Sequence, residues 1–292
     1  MSSDLIRQPR YAGPLLTVDV RNAMDAAAAK GQRELTCSLD LGRTQHVVAL
    51  ASDHWEFDGE SYPYLERCKK RTIYLWDGEE FAPVSRYSDS LIKLVPTDWG
   101  VPTFEIDGIK MLPTAHVSPL DDARRKVDLI QQAGKAILDT CGGLGYFASW
   151  CLQGGAAQIT SFEKNADVLW LRTLNPYSPD TAGAEASTLH LRRGDVSLEI
   201  ASLPDSSFDA VLHDPPRFGI AGELYSQHFY DELARVLKPG GKLFHYTGSP
   251  NKTTSGRDVP AEVAGRLQRA GFTTRFEGDG VFGVKKGRGR RS

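Results

Sequence analysis

Two textures of hydrophobic patterning divide the chain. Up to about residue 110, short segments alternate apolar and polar residues: Glu34–Leu39, Gln45–Ala51, Thr72–Trp76, Glu80–Pro83, Ser90–Val95 and Thr103–Ile106. That alternation is the period of a half-buried strand. The turns Leu41-Gly42-Arg43, Phe57-Asp58-Gly59-Glu60, Trp76-Asp77-Gly78-Glu79 and Ile106-Asp107-Gly108-Ile109 carry the Asp-Gly pairs that mark hairpins. Val18–Lys30, with its alanine run and Gly31 as a stop, reads as a helix. Residues 1–112 are therefore expected to form a small β-rich domain led by a helix.

From about Ser118 the pattern changes to short apolar runs alternating with helical periodicity. Pro119–Ala133 is amphipathic, with acids in its first turn. Strands are expected at Ala136–Asp139, Gln158–Glu163, Ser187–Arg192, Ala210–Asp214, Lys242–Tyr246, Thr273–Glu277 and Val281–Lys285. Helices fall between them at Tyr146–Gln153, Asn165–Leu174, Ser226–Leu237 and Ala261–Ala270. This order predicts an α/β fold with a mostly parallel seven-stranded sheet covered on both faces over residues 113–285. Its last two strands can also form an antiparallel edge hairpin. Residues 286–292 remain as a basic tail.

Bulk properties narrow the chemistry. A formal charge of -2 over 292 residues gives no global polycation, so any nucleic-acid contact must come from local patches. Such patches are Arg67, Lys69, Lys70 and Arg71, the tail from Lys285 to Arg291, and Lys252 with Arg257. Cys37, Cys68, Cys141 and Cys151 show no C-x-x-C pair or histidine at ligand spacing, which argues against a metal site or disulfide framework. No membrane-length apolar run and no signal-peptide core are found, and the chain reads as cytoplasmic. Nothing in the sequence sets an oligomeric state.

Ligands of open α/β sheets bind beyond the carboxyl ends of the strands, where strand order reverses. Three features fall at such ends. Asp139-Thr-Cys-Gly-Gly-Leu-Gly145 follows the first strand of the second region, with glycines that let the backbone pass close to a ligand beside a helix N-terminus. Glu163 ends the second strand, placed for ribose hydroxyls. Asp195 follows the third, placed either for an adenine amino group or as a helix cap. Gly143-x-Gly145-x-x-Ala148 also satisfies a loose dinucleotide fingerprint. Asp139 before the glycines would repel pyrophosphate, however, and suits a cationic amino-acid end, which favours S-adenosylmethionine. After the fourth strand comes Asp214-Pro215-Pro216-Arg217-Phe218. Tandem prolines cannot continue a central strand and form a rigid lip with carbonyls and no N–H donors, fit to grip an amino group.

With these pieces in this order, together with Leu203–Pro216 and Leu237-Lys-Pro-Gly-Gly-Lys-Leu243, the chain resembles the class I (Rossmann-like) S-adenosylmethionine-dependent methyltransferases over about residues 118–285. Cys141 departs from the family's usual first glycine. The resemblance implies S-adenosyl-L-methionine as cofactor, held by Asp139, Cys141, Gly143, Gly145, Glu163 and Asp195. It also implies similarity to RNA and DNA amino-methyltransferases, with Asp214 and the Pro215 carbonyl accepting the amino hydrogens and Arg217 or Phe218 stacking on the base. The same turn occurs in base carbon-5 methyltransferases, which need a cysteine nucleophile after the next strand. Here that stretch is Phe244–Pro250, and no cysteine follows Cys151, so nitrogen is the expected acceptor. His245 and Tyr246 either face the substrate or fill a buried strand end.

The leading expectation is methylation of an exocyclic amino nitrogen in RNA, rRNA or tRNA. Alternatives are a small-molecule amine, including polyamine aminopropyl transfer with a related cofactor, protein glutamine, and a non-catalytic cofactor-binding partner subunit. Calorimetry separates the two ligand readings: S-adenosylmethionine is expected to bind and NAD is not, and tight NAD binding would overturn the assignment.

Overall fold

A run of apolar residues without polar alternation forms a strand where both sheet faces are covered, and Ile137, Leu138, Ala210, Val211 and Leu212 are all fully buried. They lie in two central strands of the larger of two compact units in the computed structural model. The structure describes residues 4–7, 11, 13–248 and 258–287. Lys252, Arg257 and the tail beyond Gly287 lie outside the described residues.

The larger unit comprises residues 4–7, 122–169, 179–248 and 258–287. Its elements include α1 (Pro119–Ile130, from Asp122 onward), β1 (Ala136–Asp139), α2 (Tyr146–Gln153), β2 (Gln158–Glu163), α3 (Ala166–Leu174, up to Leu169), β3 (Leu189–Arg193), β4 (Phe208–His213), α4 (Gln227–Val236), β5 (Leu237–Tyr246), α5 (Val259–Arg269), β6 (Phe272–Glu277) and β7 (Gly280–Lys285). Strand order is β3-β2-β1-β4-β5-β7-β6. The first five are parallel, and β7 and β6 close the sheet as an antiparallel hairpin. The expected seven-stranded, mostly parallel sheet is therefore present. An eighth, two-residue strand at Asp4–Leu5 pairs antiparallel with β3. Two residues are too few to show an alternation, so no pattern in the sequence marks it.

Local chemistry sets the ends of these elements. Ser226 caps α4 by accepting from the Phe229 N–H at 3.1 Å, and Asp258 caps α5 by accepting from Ala261 at 3.2 Å. One face of α4 places Phe229, Tyr230, Leu233 and Val236 in the core. β5 starts five residues earlier than its apolar run, because Leu237 pairs with Phe208 before a register shift absorbs the Lys-Pro-Gly-Gly turn. Gly280 is fixed by packing: a Cβ there would strike the His245 carbonyl and the Phe244 ring.

The smaller unit, residues 11, 13–121 and 170–178, holds the helix Val18–Ala29 and three small antiparallel sheets. The helix is capped by Thr17, and its Met24 joins a core built around Trp55, which stacks on Tyr62 at 4.6 Å. The structure adds a hairpin, His54–Phe57 with Glu60–Pro63, around the Asp58-Gly59 turn. Its strands are half-exposed and rich in charge, so their alternation is weak.

Near the ends of β4 and β5, His213 and His245 are paired in register with rings 4.4 Å apart. Both are fully buried. The His213 Nε2–H donates to the Leu224 carbonyl while Nδ1 contacts the Thr140 hydroxyl at 2.7 Å; the His245 Nδ1–H donates to Tyr246 O while Nε2 accepts from Tyr230. Burial drives the His245 pKa down to about 3, and burial together with His245 holds His213 well below its ordinary value. The unfolded chain takes protons at these two sites below about pH 6.5, whereas the native state does so near pH 3 in the case of His245. Stability is therefore expected to fall as pH drops through that window, by about 1.4 kcal/mol per pH unit for each histidine. Urea midpoints measured from pH 7 down to pH 4 check this, and His245→Gln should flatten the dependence.

Candidate active site

Because β1 to β5 are parallel, their carboxyl ends share one edge of the sheet. β2 and β3 lie to one side of β1, and β4 and β5 to the other. The reversal of strand order falls between β1 and β4, whose ends carry Asp139 and Asp214.

On the β1 side, Asp139 is buried and accepts from the Ser161 hydroxyl at 2.8 Å. The loop that follows turns through Gly143 and Gly145, with φ of 48° and 83°, a region that disfavours side chains. Gly145 begins α2 as its N-cap. Glu163 at the end of β2 braces this loop: its Oε2 accepts from the Gly143 N–H at 2.9 Å and its Oε1 from Asn165 at 2.8 Å. Cys141 is half-buried within the loop. Burial, with the fields of Glu163, Asp139 and Asp214, pushes its thiol well above the usual range, so it stays neutral. Glu163 is thus tied to the loop that leaves β1, and β1 pairs with β4, the strand that runs into Asp214.

Asp195 has two structural tasks. Its Oδ1 accepts from the Ser197 N–H and hydroxyl, capping the short helix Val196–Glu199, and its Oδ2 pairs with Lys164 at 2.7 Å. Although burial opposes it, Lys164 and Ser197 hold this carboxyl below its ordinary value.

The Asp-Pro-Pro lip leaves β4. Pro215 is buried, Pro216 and Arg217 are exposed, and Phe218 is half-buried against the core with its ring edge-on to Tyr225 at 5.4 Å. The Tyr225 hydroxyl donates to the Pro216 carbonyl at 3.0 Å. Among the described residues no hydrogen bond reaches the Pro215 carbonyl or Asp214 Oδ1. His245 is sealed in the core, whereas Tyr246 is half-buried beside the lip's partner, Lys126.

Sequence reasoning missed that partner. Lys126 of α1 is 1% exposed, with Nζ 2.7 Å from Asp122 and 3.3 Å from Asp214 Oδ2, and it lies 4.2 Å over the Tyr246 ring. Arg125 bridges Asp122 and Asp279, the latter in the β6–β7 turn. Burial pushes the Asp214 carboxyl above its ordinary value, Lys126 opposing and Asp122 and Asp279 adding to the rise. Lys126, against its own burial, is held above its ordinary value by Asp214 and Asp122. A signal was present: Lys126 falls on the apolar stripe of α1 with Ala123, Val127 and Ile130, four residues after an aspartate. Asp279 had none, since a turn acid between edge strands is commonplace. Among the described residues no group of three or more His, Cys, Asp or Glu is placed to hold a metal ion, and no described helix is long and apolar enough to cross a membrane.

A family model described as a methyltransferase domain matches residues 138–245. The chain is 38% identical over 262 residues to the uncharacterized protein MJ1233 of Methanocaldococcus jannaschii, covering 86% of this chain and 88% of that one. A polyamine aminopropyltransferase of Mycobacterium tuberculosis is 31% identical over 129 residues, 42% of this chain and 25% of that protein. A spermidine synthase solved with the transition-state analogue AdoDATO superposes with a TM-score of 0.54 at 18% identity, over 69% of this chain and 72% of its own. That likeness is one of fold. The larger unit thus has a methyltransferase-like and aminopropyltransferase-like fold, consistent with S-adenosylmethionine binding.

Ser161→Ala removes a hydrogen bond to a buried carboxylate and is expected to lower stability by about 1–3 kcal/mol, measured by urea denaturation at pH 7.

Proposed function

The chain belongs to the family of the M. jannaschii protein MJ1233, and on that premise we propose that it transfers an alkyl group from an S-adenosylmethionine-type donor to the amino nitrogen of a small cationic amine. The observation that carries this is the charge around the lip. Asp122, Asp214 and Asp279 stand against Lys126 and Arg125, one negative charge in excess. Asp139 and Glu163 lie on the neighbouring strand ends. Such a field attracts an ammonium group and repels a phosphate backbone. The sequence match to a polyamine aminopropyltransferase supports the same acceptor class, and aminopropyl or methyl is the group moved.

The donor side fits the residues present. Gly143 and Gly145 clear the loop of side chains where a ligand would approach, the Asp139 and Glu163 carboxylates complement a cationic sulfonium and ribose hydroxyls, and the neutral Cys141 leaves that acidic field intact. When bound, the donor supplies an electrophilic carbon. The chain's own part is to hold and deprotonate the acceptor. An ammonium must lose a proton before its lone pair can attack, and a carboxyl raised by burial, as Asp214 is, takes that proton more readily than an ordinary one. The proton passes through Oδ1 to solvent, after which Oδ1 and the Pro215 carbonyl accept the two remaining N–H groups and orient the lone pair.

An RNA base amine is the second reading. It draws on the exposed Arg217 guanidinium beside the lip, which can stack on a base.

Incubating the protein with S-adenosylmethionine or its decarboxylated form and a panel of mono-, di- and triamines, followed by mass spectrometry, is expected to give an alkylated amine. No amine product, together with a methyl mark missing from the RNA of a deletion strain, would transfer the assignment to the base. Asp214→Ala should lower turnover roughly 10²–10⁴-fold while donor affinity by calorimetry stays within a few-fold.

A further inference from the structure

Burying an ammonium costs several kcal/mol unless its partners compensate, and an apolar side chain of similar volume is often neutral or stabilising in its place. Lys126 is nevertheless enclosed on the core-facing stripe of α1, with no exposed surface to snorkel toward. It divides its charge between Asp122, one turn back on its own helix, and Asp214, the first residue of the lip. The Asp122 contact, at 2.7 Å, is the shorter. Asp122 therefore anchors the ammonium, and the ammonium in turn reaches the carboxylate that closes the sheet's switch point.

We propose that Lys126 is a positioning residue for Asp214: it commits Oδ2, keeps that half-buried carboxylate charged, and so leaves Oδ1 and the Pro215 carbonyl as a fixed acceptor pair for the incoming nitrogen. The proposal rests on the amine-transfer reading for its consequence in catalysis, but not for its electrostatics. The groups that interact with Asp214 are Lys126 and Asp122 from α1, Asp279 from the β6–β7 turn, Tyr246 from β5, Tyr225 from the segment before α4, and Cys141 from the glycine loop, with Arg125 of α1 on Asp122 and Asp279. Arg125 is spent on Asp122 and Asp279, and the tyrosines and thiol are held neutral by burial. Lys126 is thus the cation whose loss leaves three carboxylates crowding one pocket, and Asp214, already raised by burial and by Asp122 and Asp279, would lose the group that opposes that rise and favour its protonated form. A protonated Asp214 cannot deprotonate an ammonium.

The test is the titration of Asp214 in protein carrying ¹³C-carboxyl aspartate, its signal assigned by its absence in Asp214→Asn. Lys126→Gln is expected to raise the Asp214 midpoint by about 1–3 pH units, and Lys126→Arg to restore most of the shift. If the Gln variant does not fold, Asp122→Asn decides the matter: with one carboxylate fewer and Lys126 undivided, the Asp214 midpoint should fall. An Asp214 midpoint unmoved in either variant would overturn the proposal. With an amine accepted by the wild type, the acid limb of kcat/KM in Lys126→Gln should move up by the same interval as the NMR midpoint, which a merely structural lysine would not produce. A limb that stays put while the midpoint moves would overturn the catalytic part. Should the wild type alkylate no amine at all, the amine-transfer reading falls, and the carboxylate titration still decides whether Lys126 controls Asp214.

Discussion

Carboxylates crowd the carboxyl edge of this sheet, and their mutual repulsion inside a poorly solvated pocket is the constraint around which the site is built. Asp139 and Asp214 end the two strands that flank the reversal of strand order. Asp122 and Asp279 reach the same place from a helix and an edge turn. Like charges this close repel one another and, unopposed, would drive the site apart. Lys126 and Arg125 offset two of those four charges, leaving a residual negative field at the lip.

The rest of the larger unit serves to hold those groups in register. The parallel β1–β4 ladder fixes the spacing of the two strand ends, and β5 with its antiparallel hairpin brings Asp279 back toward α1. The sealed pair His213 and His245 stiffens the ends of β4 and β5 through hydrogen bonds to Thr140, Leu224 and Tyr230, one residue before the lip begins. That rigidity has a thermodynamic cost at acid pH, because burial holds both imidazoles neutral in the fold where the unfolded chain would charge them. Tyr225 adds a further constraint by tying down the Pro216 carbonyl, so the two carbonyls of the proline pair are not equivalent.

Much of this was legible in the chain. The seven strands, the glycine loop and the lip follow from apolar runs bounded by Gly and Pro, signals carried by neighbours in sequence. Cys141 could be recognised as an odd residue in the loop, and its neutrality is a consequence of burial. Asp195 was open between a ligand contact and a cap, and the structure shows it capping a short helix while pairing with Lys164. For the stacking question, Phe218 is turned onto Tyr225 and Arg217 lies outside, a division that the order of two adjacent residues could not reveal.

Sequence by itself determined the order of elements, the acids at the strand ends and the donor-free character of the Asp-Pro-Pro turn, because each depends on backbone preferences acting over a few residues. Tertiary structure alone decided which charges meet. Lys126 and Asp214 are 88 residues apart, and Arg125 and Asp279 are 154. Electrostatic energy depends on distance through space and on exclusion of water, and neither is written locally in a chain. The lysine on the apolar stripe of α1 was the one trace of it, a charge placed where burial would be prohibitive unless the fold supplied its partners.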